Sequence, residues 1–238
     1  MGKVQELAKM IDHSILHPTF TDEDLKKQCE IAKAYHVASV CVKPFAVKQA
    51  VEHLKGSDVE VGCVIGFPHG NSATSVKVFE TETACSDGAT EIDMVINIGK
   101  VLSGDWIYVE DEIKAVTQAS HKHNAIVKVI FETDYVTKTE DKIRLCEICT
   151  RVGADFVKTS TGYGFVKQPN GDFNYQGATV SDIELMRKYS GAEVRVKSAG
   201  GVRSLDDLLL MKAAGASRSG ATATEAILKE AEKRFGNA

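Results

Sequence analysis

The sequence lacks long apolar runs and any excess of basic charge. No run approaches the roughly 20 residues that cross a bilayer, and the first ten residues lack the continuous apolar stretch of a signal peptide. The net charge of −4 argues against non-specific binding to nucleic acid, which requires a basic face. We therefore expect a cytoplasmic protein whose partners include neither nucleic acid nor a membrane.

The sequence also lacks a complete set of metal ligands. Its six cysteines are dispersed, and Cys146 and Cys149, although spaced like half a zinc site, have no second pair to complete four ligands. His121 and His123 have metal-like spacing but no matching acid or third histidine. We expect no metal and no other cofactor, and we interpret the cysteines as reduced, mostly buried thiols.

No linker or low-complexity segment divides the 238 residues. Strand-like apolar runs alternate with amphipathic helical segments, and eight strands at a mean spacing of about 30 residues predict an α/β fold, a single-domain (β/α)8 TIM barrel over residues 1–238. The candidate strands lie near Ile11 and at 38–42, 60–65, 91–96, 125–131, 154–157, 193–196 and 216–219. Four residues, each followed three positions later by an acid, predict helix N-termini: Thr21, Thr137, Thr179 and Ser204.

Two lysines end apolar runs that resemble buried strands. Lys158 follows one such run and Lys197 follows the next, and lysine is seldom buried without a partner or a task. Because two ammonium groups in one pocket repel, one of them would lose its proton near neutral pH and could attack a carbonyl. The pair therefore predicts Schiff-base chemistry with Lys158 as nucleophile and Lys197 as its tuner. The alternative is that both lysines form ion pairs with carboxylates at the barrel rim.

Two acidic or basic candidates lie on other strands. Alternation puts Asp93 on the polar face of its strand, where it could keep Lys197 charged and organise a water for proton transfer. It could equally be a structural partner of Lys128 or Lys197. Near the first strand, His13 could be a base, but we favour a packed, hydrogen-bonded histidine.

Glycines follow the last three candidate strands and suggest an anion site. Gly162 comes after Lys158, Gly200 and Gly201 come after Lys197, and Gly220 comes after the last strand, with Thr222 opening the last helix. Glycines let backbone N–H groups approach an anion closely, and the loops after strands seven and eight of such barrels often bind phosphate. The alternative is that these glycines serve tight turns alone.

Nearly the whole chain resembles the class I deoxyribose-phosphate aldolase family. The most specific stretches are residues 61–70, 91–97, 157–162 and 196–203. The resemblance implies reversible cleavage of 2-deoxy-D-ribose 5-phosphate to acetaldehyde and D-glyceraldehyde 3-phosphate. It also implies a homodimer or homotetramer that binds small phosphosugars and aldehydes.

The same resemblance implies roles for individual residues. Lys158 would form the Schiff base, Lys197 would perturb it and join a proton relay, and Asp93 would complete that relay. The phosphate site would be lined by Gly162, Gly200, Gly201 and Gly220, with Thr222 near it. Cys41 matches a pocket-lining cysteine, although packing explains it equally well.

The sequence departs from the family pattern at several positions. His17 stands where lysine is common, Lys43 where asparagine is common, and Ser219 where an apolar residue is usual. The segment 165–176 is longer than in compact members, and we expect it to close over bound phosphate with Lys167 as an extra contact. Some members end in a mobile tyrosine that this sequence does not have.

The same residues are also compatible with two other functions. Another Schiff-base aldolase or a transaldolase of phosphorylated sugars would share the lysine and the phosphate site, since barrels share such sites while their acceptor pockets differ. A non-catalytic barrel that senses a phosphorylated metabolite would not need both lysines.

Overall fold

The computed structural model describes residues 2–236 and contains a closed barrel of eight parallel strands. The predicted (β/α)8 fold is therefore confirmed. The barrel strands are β1 (Ile11–Ile15), β2 (Ser39–Val42), β3 (Glu60–Ile65), β4 (Glu91–Val95), β5 (Ile126–Ile130), β6 (Phe156–Lys158), β9 (Arg195–Ala199) and β10 (Arg218–Ala221). They pair in that order, and β10 closes the barrel against β1.

Helices cover the outside of the barrel. They are α1 (Lys3–Ala8), α2 (Asp22–Ala34), α3 (Val47–His53), α4 (Thr74–Ser86), α5 (Ile98–Leu102), α6 (Trp106–Lys122), α7 (Thr139–Val152), α8 (Val180–Tyr189), α9 (Leu205–Ala214) and α10 (Thr224–Phe235), with a short 3₁₀ helix at Pro44–Ala46. One apolar core lies between the strands and these helices. Within residues 2–236, no helix is both long and apolar enough to cross a membrane.

The predicted helix starts are confirmed at three of four positions. Thr21 and Ser204 each form a reciprocal capping box, and Thr179 accepts the backbone N–H of Asp182. The prediction at Thr137 is wrong, because α7 begins at Thr139. The N–H groups of Tyr135 and Val136 both bond to the Glu132 carbonyl and form a turn. The helix therefore starts only after that turn.

The segment 163–177, which follows β6, contains a short hairpin outside the barrel. Its strands are β7 (Val166–Lys167) and β8 (Phe173–Asn174), which pair antiparallel, and the exposed rings of Phe165 and Phe173 stack at its base. The cysteines agree with the thiol interpretation: all six are free, and Cys146 and Cys149 are buried on α7. The comparison with members that end in a tyrosine concerns Asn237 and Ala238, which lie outside the described residues.

Candidate active site

The two predicted lysines lie side by side on neighbouring strands of the barrel. Because β6 and β9 pair in parallel, Lys158 stands beside Lys197 in the register. Lys158 is the last residue of β6, as predicted, whereas Lys197 is the third of five residues in β9 rather than its end. Both side chains are buried. The sequence therefore placed the two amines correctly as neighbours.

Asp93 on β4 connects the two amines. Its Oδ2 atom accepts hydrogen bonds from Lys158 Nζ at 2.6 Å and from Lys197 Nζ at 2.7 Å. Its Oδ1 atom accepts one from Lys128 Nζ at 2.8 Å. The geometry thus combines both interpretations of Asp93, since one carboxylate contacts the candidate nucleophile, its tuner and a third lysine.

A larger network of buried charges surrounds this carboxylate. Its members are the cationic side chains Lys128, Lys158, Lys197 and Arg218 and the carboxylates Asp12, Glu91 and Asp93. If all were ionised, four cations would face three anions in a region of low polarity. Burial disfavours an uncompensated charge, so one cation is under pressure to lose its proton. Lys158 is the member with the fewest partners, because among these carboxylates it contacts Asp93 alone.

The pKa directions follow this arrangement. Burial lowers the pKa of Lys158 most, and the Lys197 ammonium lowers it further, although Asp93 opposes both. Burial also disfavours the charge on Lys197, but Asp12 and Asp93 outweigh it, so the pKa of Lys197 is raised. The order of the two lysines is the predicted one, whereas the leading cause is burial rather than repulsion between ammonium groups.

The predicted glycines line one cavity of about 130 Å³. The lining includes Gly162, Gly200, Gly201, Gly220 and Thr222, together with Ser14, Leu16, Thr161, Tyr163, Tyr175, Val202, Arg203 and Ala221. Gly200 has a φ of 82°, and a Cβ there would lie 3.0 Å from the Cα of Gly177, so no other residue fits easily. Gly220 lies against Lys197, whose Cε atom would be 3.6 Å from a Cβ at that position. The cavity therefore adjoins the lysine pair.

Two details of this cavity differ from the sequence prediction. Gly220 belongs to β10 rather than to the loop after it, and α10 begins at Thr224, two residues beyond Thr222. Both shifts arise because β10 extends further towards the cavity than its apolar run does. Cys41, predicted at a pocket, does not line this cavity; it packs with Leu16 and Val64, and its Sγ atom lies 3.9 Å from Asp93 Oδ2.

A second, mostly apolar cavity of about 250 Å³ lies beside the first. Leu16 and Tyr163 line both cavities, and the Tyr163 ring packs edge-on against Phe67 at a centroid distance of 5.4 Å. Lys43 lines this second cavity and donates to the backbone carbonyl of His17 at 2.9 Å. The charge that departs from the family pattern therefore lies away from the glycines.

The hairpin segment reaches the glycine cavity through its second arm. Tyr175 lines the cavity, and the N–H groups of Gln176 and Gly177 bond to the Asp134 carboxylate at 2.5 and 3.0 Å. Gly177 packs directly on Gly200, because a Cβ on Gly177 would lie 2.6 Å from the Gly200 carbonyl carbon. Lys167, predicted as an extra phosphate contact, is exposed in β7 and is not part of the lining. Closure of the segment stays a prediction.

Comparisons with known proteins identify the family of this chain. The model of the family described as "DeoC/LacD family aldolase" matches residues 7–236. The chain belongs to the DeoC/LacD family of aldolases. It is 49% identical to the deoxyribose-phosphate aldolase of Rhodopirellula baltica, over 97% of this chain and 91% of that protein. It is 50% identical to that of Bacillus cytotoxicus, over 95% and 96% of the two chains.

The structural comparison leads to the same family. The tetrameric deoxyribose phosphate aldolase of Aeropyrum pernix superposes with a TM-score of 0.86 at 27% identity, over 99% of this chain and 94% of that one. The chain is therefore an enzyme, an aldolase with the barrel of its family, and the interpretation as a non-catalytic sensor is wrong.

Sequence reasoning assigned no role to Asp12 or Arg218, two members of the buried charge network. Asp12 is fully buried in β1, where it contacts Lys197 Nζ at 2.5 Å and pairs with Arg218. Its position beside His13 at a strand was visible, but nothing local revealed its partner across the barrel. His13 itself is buried and bonded to Thr224 Oγ1 at 2.7 Å and Gln28 Oε1 at 2.8 Å, which agrees with a packed histidine.

Proposed function

We propose that this aldolase reversibly cleaves 2-deoxy-D-ribose 5-phosphate to acetaldehyde and D-glyceraldehyde 3-phosphate through a Schiff base on Lys158. The observation that carries the proposal is the sharing of Asp93 Oδ2 by Lys158 and Lys197 beside the glycine cavity. The names of relatives that are about half identical over nearly the whole chain support the substrate.

The reaction begins at the amine of Lys158. Its lowered pKa increases the fraction of neutral amine, which attacks the aldehyde carbon C1 of the open-chain sugar. The carbinolamine that forms loses water and becomes a protonated imine. Lys197, whose raised pKa keeps it a cation before the reaction, gives one proton through Asp93 or a water to the departing hydroxide, which leaves as water. Lys197 regains that proton when the final imine is hydrolysed.

The protonated imine is the electron sink for cleavage. A base, Asp93 directly or through a water, removes the proton of the C3 hydroxyl. The C2–C3 electron pair then moves to C2 and the iminium group, which gives an enamine on Lys158 and releases D-glyceraldehyde 3-phosphate. Protonation of C2 regenerates an imine, and water hydrolyses it to acetaldehyde and free Lys158. Each step is reversible.

The glycine cavity fits the phosphate end of the substrate. Gly162, Gly200 and Gly201 have positive φ values of 79°, 82° and 86°, and their lack of side chains lets an anion approach the backbone closely. Arg203 adds a positive charge to the lining. Phosphate held there would leave C1 of the sugar free to reach Lys158.

Trapping the imine tests the proposal. Acetaldehyde and borohydride should add a two-carbon group to Lys158, identified by peptide mapping, and the variant Lys158→Leu should remain unlabelled at that peptide. Labelling confined to other lysines would reject Lys158 as nucleophile. Release of acetaldehyde from deoxyribose phosphate in the presence of a chelator tests the substrate and the independence from metal together.

We also propose that residues 1–238 form one aldolase domain, that the enzyme is a homodimer or homotetramer, and that it acts in the cytoplasm. The tetrameric relative from Aeropyrum pernix supports the assembly. Six free thiols suit a reducing compartment. Light scattering of the purified enzyme would measure the oligomeric state.

A further inference from the structure

Glu132 is a buried carboxylate that the proposed mechanism does not use. It lies two residues beyond the end of β5, and only 1% of its surface is exposed. Its φ of 54° is left-handed, a conformation that residues other than glycine adopt at a cost. Its carbonyl accepts the N–H groups of Tyr135 and Val136 at 2.9 Å each, so the residue turns the chain from β5 towards α7.

One oxygen of this carboxylate binds the wall of the glycine cavity. Glu132 Oε2 accepts the backbone N–H of Thr161 at 3.2 Å and a short hydrogen bond from the Thr161 hydroxyl. That hydroxyl in turn accepts the N–H of Tyr163 at 2.9 Å. The carboxylate oxygen thus holds Thr161 directly and reaches Tyr163 through the Thr161 hydroxyl, in a 161–163 turn that contains Gly162 and contributes Thr161 and Tyr163 to the cavity lining.

The surroundings of the Glu132 carboxylate lower the stability of the folded state. Its other oxygen, Oε1, is buried and has no hydrogen-bond partner among residues 2–236, and such an atom destabilises the folded state. Burial raises the pKa of Glu132 to about 6, Asp134 also raises it, and Thr161 and Lys158 oppose them. Neighbouring Thr133 and Ser160 could join the two loops without it, since their hydroxyl oxygens are 3.1 Å apart.

We propose that Glu132 is a positioning residue for ligand binding, whose carboxylate holds the 161–163 turn in the shape that receives the phosphorylated end of the substrate. The Thr161 hydroxyl uses its one proton in the hydrogen bond that it donates to Glu132. Its oxygen is therefore oriented to accept the N–H of Tyr163. This acceptance orders the turn on which Gly162 and Tyr163 lie. The identity of the substrate in this proposal rests on the proposed function. Anion binding beside the 161–163 turn can be measured independently of that function.

The substitution Glu132→Asn tests this role with little backbone disturbance. Asparagine tolerates a left-handed φ, but its side chain is one methylene shorter and cannot reach Thr161 in the same way. Since hydrogen bonds to a charged group are lost, we expect the dissociation constant of glycerol 3-phosphate and the KM for deoxyribose phosphate to rise about tenfold or more. The rate of borohydride trapping of acetaldehyde on Lys158, which needs no phosphate, should stay within about twofold, because the lysine network keeps its partners.

Four further variants, one of them a double variant, make the assignment specific. Glu132→Gln keeps an acceptor oxygen of the same reach and should restore most of the affinity. Thr161→Val removes the hydroxyl but keeps the N–H and should reproduce part of the loss, and combining it with Glu132→Asn should give less than the sum of the two effects, as expected for residues in one network. Glu140→Asn, on an exposed turn of α7, is the matched control.

The outcomes separate the positioning role from its alternatives. Unchanged glycerol 3-phosphate affinity in Glu132→Asn would overturn the proposal, and so would an equal loss of phosphate affinity and of acetaldehyde trapping, which indicates a merely structural role. If Glu132→Asn does not fold, unchanged affinity in Thr161→Val overturns it instead. If the wild type does not cleave deoxyribose phosphate, the proposed function fails, while calorimetry with glycerol 3-phosphate still decides the role of Glu132.

Discussion

Lys77 and Lys158 are both buried lysines, and burial lowers the pKa of each. Lys77 is matched by one carboxylate, since its Nζ lies 2.8 Å from Glu112 Oε1 and donates to the Val95 carbonyl at 2.7 Å. Lys158 belongs to a network with more cations than carboxylates and lies near an open cavity. A lowered pKa therefore does not identify a nucleophile. Charge imbalance and access to a cavity distinguish the two lysines.

The largest expected effect concerns Lys158 itself. Lys158→Leu removes the amine that forms the imine, so turnover should fall to background, a loss on the order of 10⁴ or more given the size of covalent and acid–base contributions. The substitution also removes the excess cation, so the folded protein should remain at least as resistant to denaturant. Steady-state assays and urea unfolding check both statements, and residual turnover above background would weaken the contrast with Lys77.

The next effect concerns Lys197. In Lys197→Leu, Lys158 no longer shares Asp93 Oδ2 with a second amine, and one neighbouring ammonium is removed. The pKa of Lys158 should therefore rise. We expect activity at neutral pH to fall about 10²–10³-fold, with the acid limb of the pH–rate profile displaced to higher pH. A variant that keeps the wild-type rate at neutral pH would contradict the tuning role.

Lys77→Met should alter stability rather than chemistry. The variant leaves Glu112 buried without its cation, which typically costs about 3–5 kcal/mol of unfolding free energy. Acetaldehyde trapping on Lys158 by the folded fraction should remain close to wild type. The double variant Lys77→Met with Glu112→Leu should recover part of the stability, as measured by urea unfolding. Lost trapping in a fully folded Lys77→Met would show that the two regions are coupled.

Glu132 extends the comparison to a carboxylate that accepts hydrogen bonds from Thr161 but forms no ion pair within the described part of the chain. Its pKa of about 6 in the folded protein exceeds the ordinary 4.5, so the folded state keeps this proton to higher pH than the unfolded state does. Ionisation of Glu132 therefore destabilises the fold as pH rises through this window, by about 2 kcal/mol. Because glutamine does not ionise, Glu132→Gln should not lose this stability as pH rises.

Urea unfolding at several pH values checks this expectation. The unfolding free energy of Glu132→Gln minus that of the wild type should increase by about 2 kcal/mol between about pH 4 and about pH 7. Glu140→Gln, on an exposed turn of α7, is the control for replacing a glutamate with glutamine. A flat difference for Glu132→Gln would mean that Glu132 titrates normally.

The barrel and its lysine pair were predictable because their signals are local. Apolar runs at regular spacing specify the strands, and Lys158 and Lys197 follow consecutive runs of the barrel. Strand ends were less predictable. Strands β9 and β10 run to Ala199 and Ala221, beyond the predicted ends at 196 and 219. Polar residues take part in their pairing, because Ser198 and Ser219 face each other with their hydroxyl oxygens 2.6 Å apart.

The remainder of the site depends on contacts between residues distant in sequence. Asp12 on β1 contacts Arg218 on the adjacent strand β10 and Lys197 on β9, and Glu132, in the segment after β5, contacts Thr161 in the segment after β6. Neither acid stands in a motif that reveals its partner. Composition and spacing could therefore indicate which residues carry chemistry, but not the charge balance that separates Lys158 from the other buried lysines.

The close packing of Gly177 on Gly200 has a consequence for variation in this enzyme. The second arm of the hairpin is anchored at its base by this contact, by the bond from Ala178 N to the Gly200 carbonyl at 3.0 Å, and by Asp134. The tip, around Gly171, lies beyond these anchors. Residues can accordingly be inserted or deleted at the tip while the rim of the glycine cavity keeps its shape, which makes the tip a suitable place to graft new recognition elements.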